Sequence, residues 1–333
     1  MTTRIYRAAI VGLGNIGLGY DLDERTRRRY PYATHASAYR AHPRTQLVAG
    51  CDREVTRHSR LREVYGVDCL YTEAGEMLRE QSPDILSVCV PPEEQEAVVD
   101  AAILLHVPVI FCEKPFATSR TIADDLLKRA RRAKSSLVVN YWRRFDGSHG
   151  EVRRLIGDGR IGTVRAVHGT YGNGLRNVGS HVLDLLLWYF GPVAWICAVE
   201  GAPGPAGDPG LDLMMEFRGG IRATLLAHDY RDYRILELDL LGSRGRVSIA
   251  KEGLEIRCYG VEENEDVSGA KQLTGAFHGI ESTVGEAPCR ALDYVAGVLD
   301  RAEPVFCDHA IETHRVMEAA AQSAAAGGKR VTL

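Results

Sequence analysis

The sequence predicts an N-terminal α/β domain with a doubly wound parallel sheet, followed by an α+β domain with a mostly antiparallel sheet. Three observations lead there. Apolar strand-like runs alternate with helical stretches over the first 120 residues, short strands follow one another after about residue 190, and a G-x-G-x-x-G turn closes the first strand. At 333 residues the chain is long enough to bury two cores.

Residues 4–11, 46–51, 83–90 and 107–112 read as buried strands. Helical stretches separate them, such as 93–105, with Glu in the first turn. This alternation implies right-handed crossovers and a parallel sheet. The expected domains are residues 1–120 and 121–333. In the second, a helix at 180–190 precedes strands at 193–200, 211–218, 221–228, 234–242, 245–250 and 254–259. Glycine- and proline-rich turns divide these strands. Helices at 284–301 and 308–326 close the chain, and residues 261–282, with weak periodicity, read as a loop.

Composition narrows the function. Net charge is −3, so no basic surplus points to nucleic acid. No apolar run reaches a membrane-spanning length of about 18 residues, and the N-terminus lacks the shape of a signal peptide. A cytoplasmic protein without a membrane partner is expected. Eight cysteines include no C-x-x-C pair, and they read as buried, reduced and hydrophobe-like. The eleven histidines show no ligand spacing beside a cysteine or carboxylate cluster, so no metal is expected.

The opening strand runs into Gly12-Leu13-Gly14-Asn15-Ile16-Gly17. Such a loop makes a tight turn, lets backbone approach a pyrophosphate and packs a helix closely on the strand. The second strand ends in Asp52, placed to accept from an adenosine ribose. The usual spacing is about 20 residues, yet Asp52 lies 35 past Gly17. The excess matches an insertion, residues 18–34, that carries Arg25, Arg27, Arg28 and Arg29. A solvated charged loop is the favoured reading, and a flap over cofactor or an anionic substrate group is the other. Asp52 repels a 2′-phosphate and Arg53 offsets that repulsion, so NAD is expected and NADP is the alternative.

Three further segments follow in order: Glu113-Lys114-Pro115, Asn140-Tyr141-Trp142-Arg143-Arg144-Phe145, and Asn177-Val178-Gly179-Ser180-His181-Val182-Leu183-Asp184. With the glycine loop they resemble the Gfo/Idh/MocA family, the glucose–fructose oxidoreductase and inositol dehydrogenase group. The resemblance implies an NAD(P)-binding Rossmann domain and a C-terminal open-sheet domain for substrate and oligomerisation. It implies reversible oxidation of a sugar or cyclitol hydroxyl in a homodimer or homotetramer.

It also implies residue roles. Gly12, Gly14, Asn15, Ile16, Gly17, Asp52, Arg53, Pro91, Gln95 and Glu113 would line the cofactor, with Glu113 at the nicotinamide ribose. Lys114 and His181 would be catalytic, and Asn177, Asp184, Tyr141 and Arg144 would hold substrate. Pro115 is expected to follow a cis bond. The chemistry agrees, because alcohol oxidation needs a base for the hydroxyl proton. Lys114 sits just past a parallel strand, where ligands of such sheets bind. Two positions depart from the family pattern. Asn177 stands where Asp is commoner, which shifts weight from a carboxylate-assisted His to Lys114, and Gln95 stands where His is common. The combination of G-L-G-N-I-G, Y-D-L-D, T-H-A-S-A-Y and N-x-G-S-H resembles a sugar-modification subgroup and implies an activated sugar. Two other readings of the same fold are a cofactor-sensing regulator and an NAD-recycling glycosidase.

Overall fold

The computed structural model describes residues 4–301 and 303–333, except the side chains of 276 and 277. The chain divides into two compact units. The first comprises residues 1–145 and 285–311, and the second comprises 146–284 and 312–333.

The first unit opens with β1 (Tyr6–Val11), α1 (Glu24–Arg29), α2 (His35–Ala41) and β2 (Thr45–Cys51). It continues through α3 (Thr56–Tyr65), β3 (Cys69–Tyr71), α4 (Ala74–Gln81), β4 (Ile85–Val88) and α5 (Pro92–Leu104). Then come β5 (Val109–Cys112), α6 (Arg120–Ala133) and β6 (Ser136–Val139). The six strands form a parallel sheet in the order β3-β2-β1-β4-β5-β6. Every residue of β4, β5 and β6 is buried, as expected when helices cover both faces of a parallel sheet. The order reverses between β1 and β4, so the loops leaving these strands open a crevice at their carboxyl ends.

The expected boundary at 120 falls inside this unit. The sheet takes a sixth strand beyond it, because Val109–Cys112 pairs in register with Ser136–Val139. The chain also returns with α9 (Ala287–Arg301, the ninth helix), whose Ala291, Leu292, Val295 and Ala296 pack with Ala36 and Tyr39 of α2. Polar contacts fix that return: Tyr6 Oη donates to Asp300 at 2.7 Å and His42 Nε2 meets Asp293 at 3.1 Å.

The second unit holds α7 (Gly147–Gly157), β7 (Val164–Tyr171), α8 (Ser180–Phe190), β8 (Val193–Glu200), β9 (Leu211–Phe217) and β10 (Arg222–Ala227). Next are β11 (Leu236–Gly242), β12 (Gly245–Ala250), β13 (Glu255–Glu263) and β14 (Lys271–Ile280). The chain ends in α10 (Asp308–Ala325) and β15 (Val331–Thr332). Nine strands make one sheet in the order β14-β13-β12-β11-β7-β10-β9-β8-β15. Only β7 and β10 pair in parallel among the named strands of this sheet. Alternating apolar residues such as Leu236, Leu238 and Leu240 form its core face against α8.

The stretch expected as a loop at 261–282 contains β14, paired antiparallel to β13. This ribbon is largely exposed, so its sequence carries little of the apolar alternation that marks a half-buried strand. Seven of the eight cysteines are buried or half-buried, and Cys69 is exposed. Among the described residues no group of three His, Cys, Asp or Glu side chains is placed to hold a metal ion. No described helix is long and apolar enough to cross a membrane.

Candidate cofactor and active site

β1 delivers the chain into the glycine loop, where the Gly12 N–H donates to Cys51 O at 2.9 Å. Gly12 has φ +93°, and a Cβ there would stand 2.6 Å from the Cys89 carbonyl carbon. A Cβ on Gly17 would stand 2.1 Å from Gly12 O. Both positions are closed to any side chain. Gly14 differs: the nearest atom to its Cβ position is Arg57 Nη1 at 3.9 Å. It faces a cleft of about 370 Å³ lined also by Asn15, Glu54, Thr56, Arg57 and Arg60. The backbone N–H groups of Gly14, Asn15 and Ile16 donate to no described residue. A tight turn with open N–H groups, a bare glycine and guanidinium groups beside it fits a pyrophosphate-bearing dinucleotide.

The expected helix does not simply follow this loop. Leu18 and Gly19 donate back to Gly14 O at 2.9 Å each, and a 3-10 turn spans Gly19–Leu22. Thirteen residues beyond that turn's end, His35 N donates to Ile16 O and Ala36 N to Gly17 O, each at 3.1 Å. The insertion is therefore spliced into one helix, which α2 resumes. Asp21, buried at the root of the excursion, accepts from Thr34 Oγ1 and from Tyr65 Oη. Arg25, Arg27, Arg28 and Arg29 are exposed, and Arg28 pairs with Glu24.

Asp52 ends β2 as expected, but its carboxylate already serves the loop. Oδ2 accepts from Leu13 N at 2.7 Å and from Arg57 Nη1 at 3.1 Å, and Oδ1 accepts from Glu54 N at 2.9 Å. Arg57, which the sequence alone does not single out, is the second residue of α3 and also pairs with Glu54. Arg53, expected to offset the charge of Asp52, is paired instead with Glu94 at 3.2 Å.

Glu113 and Lys114 leave β5 at the carboxyl edge of the sheet, where the Glu113 N–H donates to Val88 O at 2.9 Å. The Lys114–Pro115 bond is cis. Glu113 Oε1 lies 3.0 Å from His35 Nε2 and accepts from Asn140 Nδ2 at 2.8 Å. Its Oε2 accepts from the Lys114 N–H at 3.2 Å. Neither His35 nor Asn140 was expected as a partner of Glu113. Nothing local pairs them, because 78 residues separate His35 from Glu113.

Of the other expected cofactor and substrate residues, Gln95 and Tyr141 are buried, Arg144 is half-buried and Pro91 is exposed. Gln95 is 1% exposed and donates to Pro115 O at 3.2 Å, so it braces the turn after Lys114. Pro91 caps α5. Tyr141 is also 1% exposed and meets the His309 ring edge-on at 6.2 Å. The Arg144 N–H donates to Tyr141 O at 2.9 Å. Burial beside the Arg144 guanidinium drives the His309 imidazole down to about 3. Burial pushes the Cys112 thiol well above its usual value, so it is no competing nucleophile beside Lys114.

In the second unit, a π-helical turn at Gly174–Gly179 runs directly into α8. Such turns widen the backbone locally. Asp208 pins this one, accepting from Arg176 N at 2.7 Å and Asn177 N at 2.9 Å. His181 is 8% exposed on the first turn of α8. Asp184 is 1% exposed, with Thr313 Oγ1 at 3.5 Å from its Oδ1.

Residues 6–141 match the model of the Gfo/Idh/MocA oxidoreductase family with an NAD-binding Rossmann fold, and residues 171–248 match the Gfo/Idh/MocA C-terminal domain. A D-apiose dehydrogenase of Paraburkholderia graminis is 23% identical over 57% of the chain and 56% of its own length. A D-glucoside 3-dehydrogenase of Escherichia coli is 26% identical over 57% of the chain and 56% of its own length. The chain thus spans about half the length of these curated relatives. An inositol dehydrogenase homologue of Azotobacter vinelandii, solved with NADH and myo-inositol, superimposes with a TM-score of 0.78 at 19% identity. That alignment covers 99% of this chain and 98% of the neighbour, a likeness of fold.

Proposed function

Because this chain belongs to the Gfo/Idh/MocA oxidoreductase family, we propose that it moves a hydride between a nicotinamide cofactor and a secondary hydroxyl or keto carbon. The substrate class is a sugar, an activated sugar or a cyclitol. The names of the two curated relatives and the ligands of the fold neighbour support that class. NAD is the favoured cofactor and the assembly a homodimer or homotetramer.

One observation carries this reading. The bare Gly14 turn after β1 and the Glu113-Lys114 pair after β5 lie at the carboxyl edge of one sheet. Open doubly wound sheets bind dinucleotides at that edge. When bound, the nicotinamide supplies the acceptor for the hydride leaving the carbinol carbon. The loop N–H groups of Gly14 to Ile16 hold the pyrophosphate, and Glu113 accepts from the nicotinamide ribose. Lys114 takes the hydroxyl proton as the C=O bond forms; by the family resemblance His181 is the expected relay and Asn177 the residue expected to orient the hydroxyl. In the reverse direction Lys114 returns the proton to the carbonyl oxygen.

The test is a screen of sugars, nucleotide sugars, inositols and their keto forms, followed at the nicotinamide absorbance. The expected result is cofactor-linked turnover that Lys114→Ala lowers by about 10²-fold or more while cofactor still binds. Unchanged turnover in that variant would overturn the role of Lys114. Cofactor binding with no turnover on any of these compounds would favour a regulator, and turnover without added cofactor would favour transient oxidation during glycoside cleavage.

A further inference from the structure

A line of buried polar groups runs through the first unit to Glu113. Tyr39 Oη lies 2.7 Å from Ser87 Oγ, and Ser87 Oγ lies 2.7 Å from His35 Nδ1. His35 Nε2 then lies 3.0 Å from Glu113 Oε1. Tyr39 and His35 come from α2, Ser87 from the middle of β4 and Glu113 from the end of β5. Ser87 is fully buried, Tyr39 is 1% exposed and His35 5%. The His35 ring is also wedged against Phe111, with centroids 5.1 Å apart. Burying several polar groups is costly unless each is satisfied, and a satisfied network is rigid.

The direction of the line follows from its ends. Burial holds the Tyr39 hydroxyl well above its usual pKa, so Tyr39 stays a donor. An ionised Glu113 carboxylate only accepts. One arrangement gives every hydrogen an acceptor: Tyr39 donates to Ser87, Ser87 donates to His35 Nδ1, and His35 Nε2–H donates to Glu113. Asn140 Nδ2 and the Lys114 N–H complete the set of donors around that carboxylate.

We propose that His35 is a positioning residue, held by Ser87 and Tyr39, that fixes the Glu113 carboxylate as a preorganised acceptor for the nicotinamide ribose. The inference rests on the proposed cofactor chemistry and deepens it. His35 acts through Glu113: without its donor only Asn140 Nδ2 and the Lys114 N–H hold the carboxylate, which then binds the ribose hydroxyls less well. A fixed acceptor costs nothing further to order on binding.

The test separates the two halves of the cofactor on the purified full chain. NADH binding is titrated by its fluorescence, and ADP binding, which engages only the glycine loop and its surroundings, by calorimetry. For His35→Ala the expected result is an NADH Kd raised about tenfold, the scale of a lost hydrogen bond to a charged group, with the ADP Kd within about twofold of the unsubstituted chain. His35→Gln, which keeps a donor for Glu113, restores most of the NADH affinity. Ser87→Ala deletes one hydroxyl and leaves the ring in place, so it reads the same split should His35→Ala fail to fold; a loss of about threefold for NADH alone is expected. NADH affinity unchanged in these variants, or NADH and ADP weakened in the same proportion, overturns the positioning role. Failure of the unsubstituted chain to bind NADH overturns the functional reading itself, and is told apart because it needs no variant.

Discussion

The His35 N–H donates to the carbonyl of Ile16, 3.1 Å away, across an insertion that leaves and re-enters one helix. Ala36 repeats the bond to Gly17 at 3.1 Å. Excising residues 19–33 would place His35 four residues after Ile16, the ordinary α-helical step. It would also place Asp52 at 20 residues past Gly17, the common spacing for this loop.

The excision variant, with Leu18 joined to Thr34, is therefore expected to fold. It loses the buried contact of Asp21 with Tyr65, so a stability cost of about 1–2 kcal/mol is expected. Thermal unfolding measures this. Retained NADH affinity would show that the arginine-bearing excursion is not the cofactor's flap, and a fall of tenfold or more would show that it is.

The three glycines of the loop are expected to respond differently to Ala. Gly12→Ala and Gly17→Ala push a methyl group against backbone at 2.6 Å and 2.1 Å. Each should cost on the order of 1–3 kcal/mol, read as a lowered denaturant midpoint. Gly14→Ala meets only the Arg57 side chain at 3.9 Å. It should melt like the unsubstituted chain while NADH affinity falls by about tenfold or more, because its methyl occupies the cleft.

Asp52→Ala is expected to cost stability even without cofactor. It strips the acceptor from the Leu13 N–H, 2.7 Å away in a buried setting. An orphaned buried donor costs about 1–3 kcal/mol. A carboxylate serving only the ribose would leave the melting temperature of the cofactor-free protein unchanged, so differential scanning calorimetry of that form distinguishes the two.

His309 should make the first unit sensitive to mild acid. Its imidazole is held neutral in the folded chain down to about 3, first by burial and then by Arg144. Unfolded, it takes up a proton below about 6.5. Between these values the unfolded chain binds the extra proton, so stability is full above about 6.5 and falls as pH drops through the window. The slope attributable to this group approaches about 1.4 kcal/mol per pH unit. In His309→Gln the dependence of the unfolding midpoint on pH between about 6.5 and 4 should flatten, as pH-stepped thermal melts would show.

The legible part of the molecule was local. Buried runs such as Ile85–Val88 and Val109–Cys112 announce themselves through composition, and the strands from Val193 to Ala250 through alternation and glycine turns. The loop glycines and the Glu113-Lys114 pair were visible because their chemistry lies in consecutive residues. β14 is an exposed ribbon without apolar alternation and so reads as loop; β6 is as short and as buried as β4 and β5, and it is its pairing with β5 that shows it belongs to the sheet.

By itself the sequence determined where most strands and helices form, that the first strand ends in a glycine turn, and which residues stand at the carboxyl edge of the sheet. Tertiary structure alone decided that Ala287–Arg301 returns to the first unit, that Asp52 braces Leu13, and that His35 reaches Glu113. Local pattern is set by backbone geometry and burial within a few residues. These three contacts join groups tens to hundreds of residues apart, and only the packed sheet brings them within hydrogen-bond or packing distance.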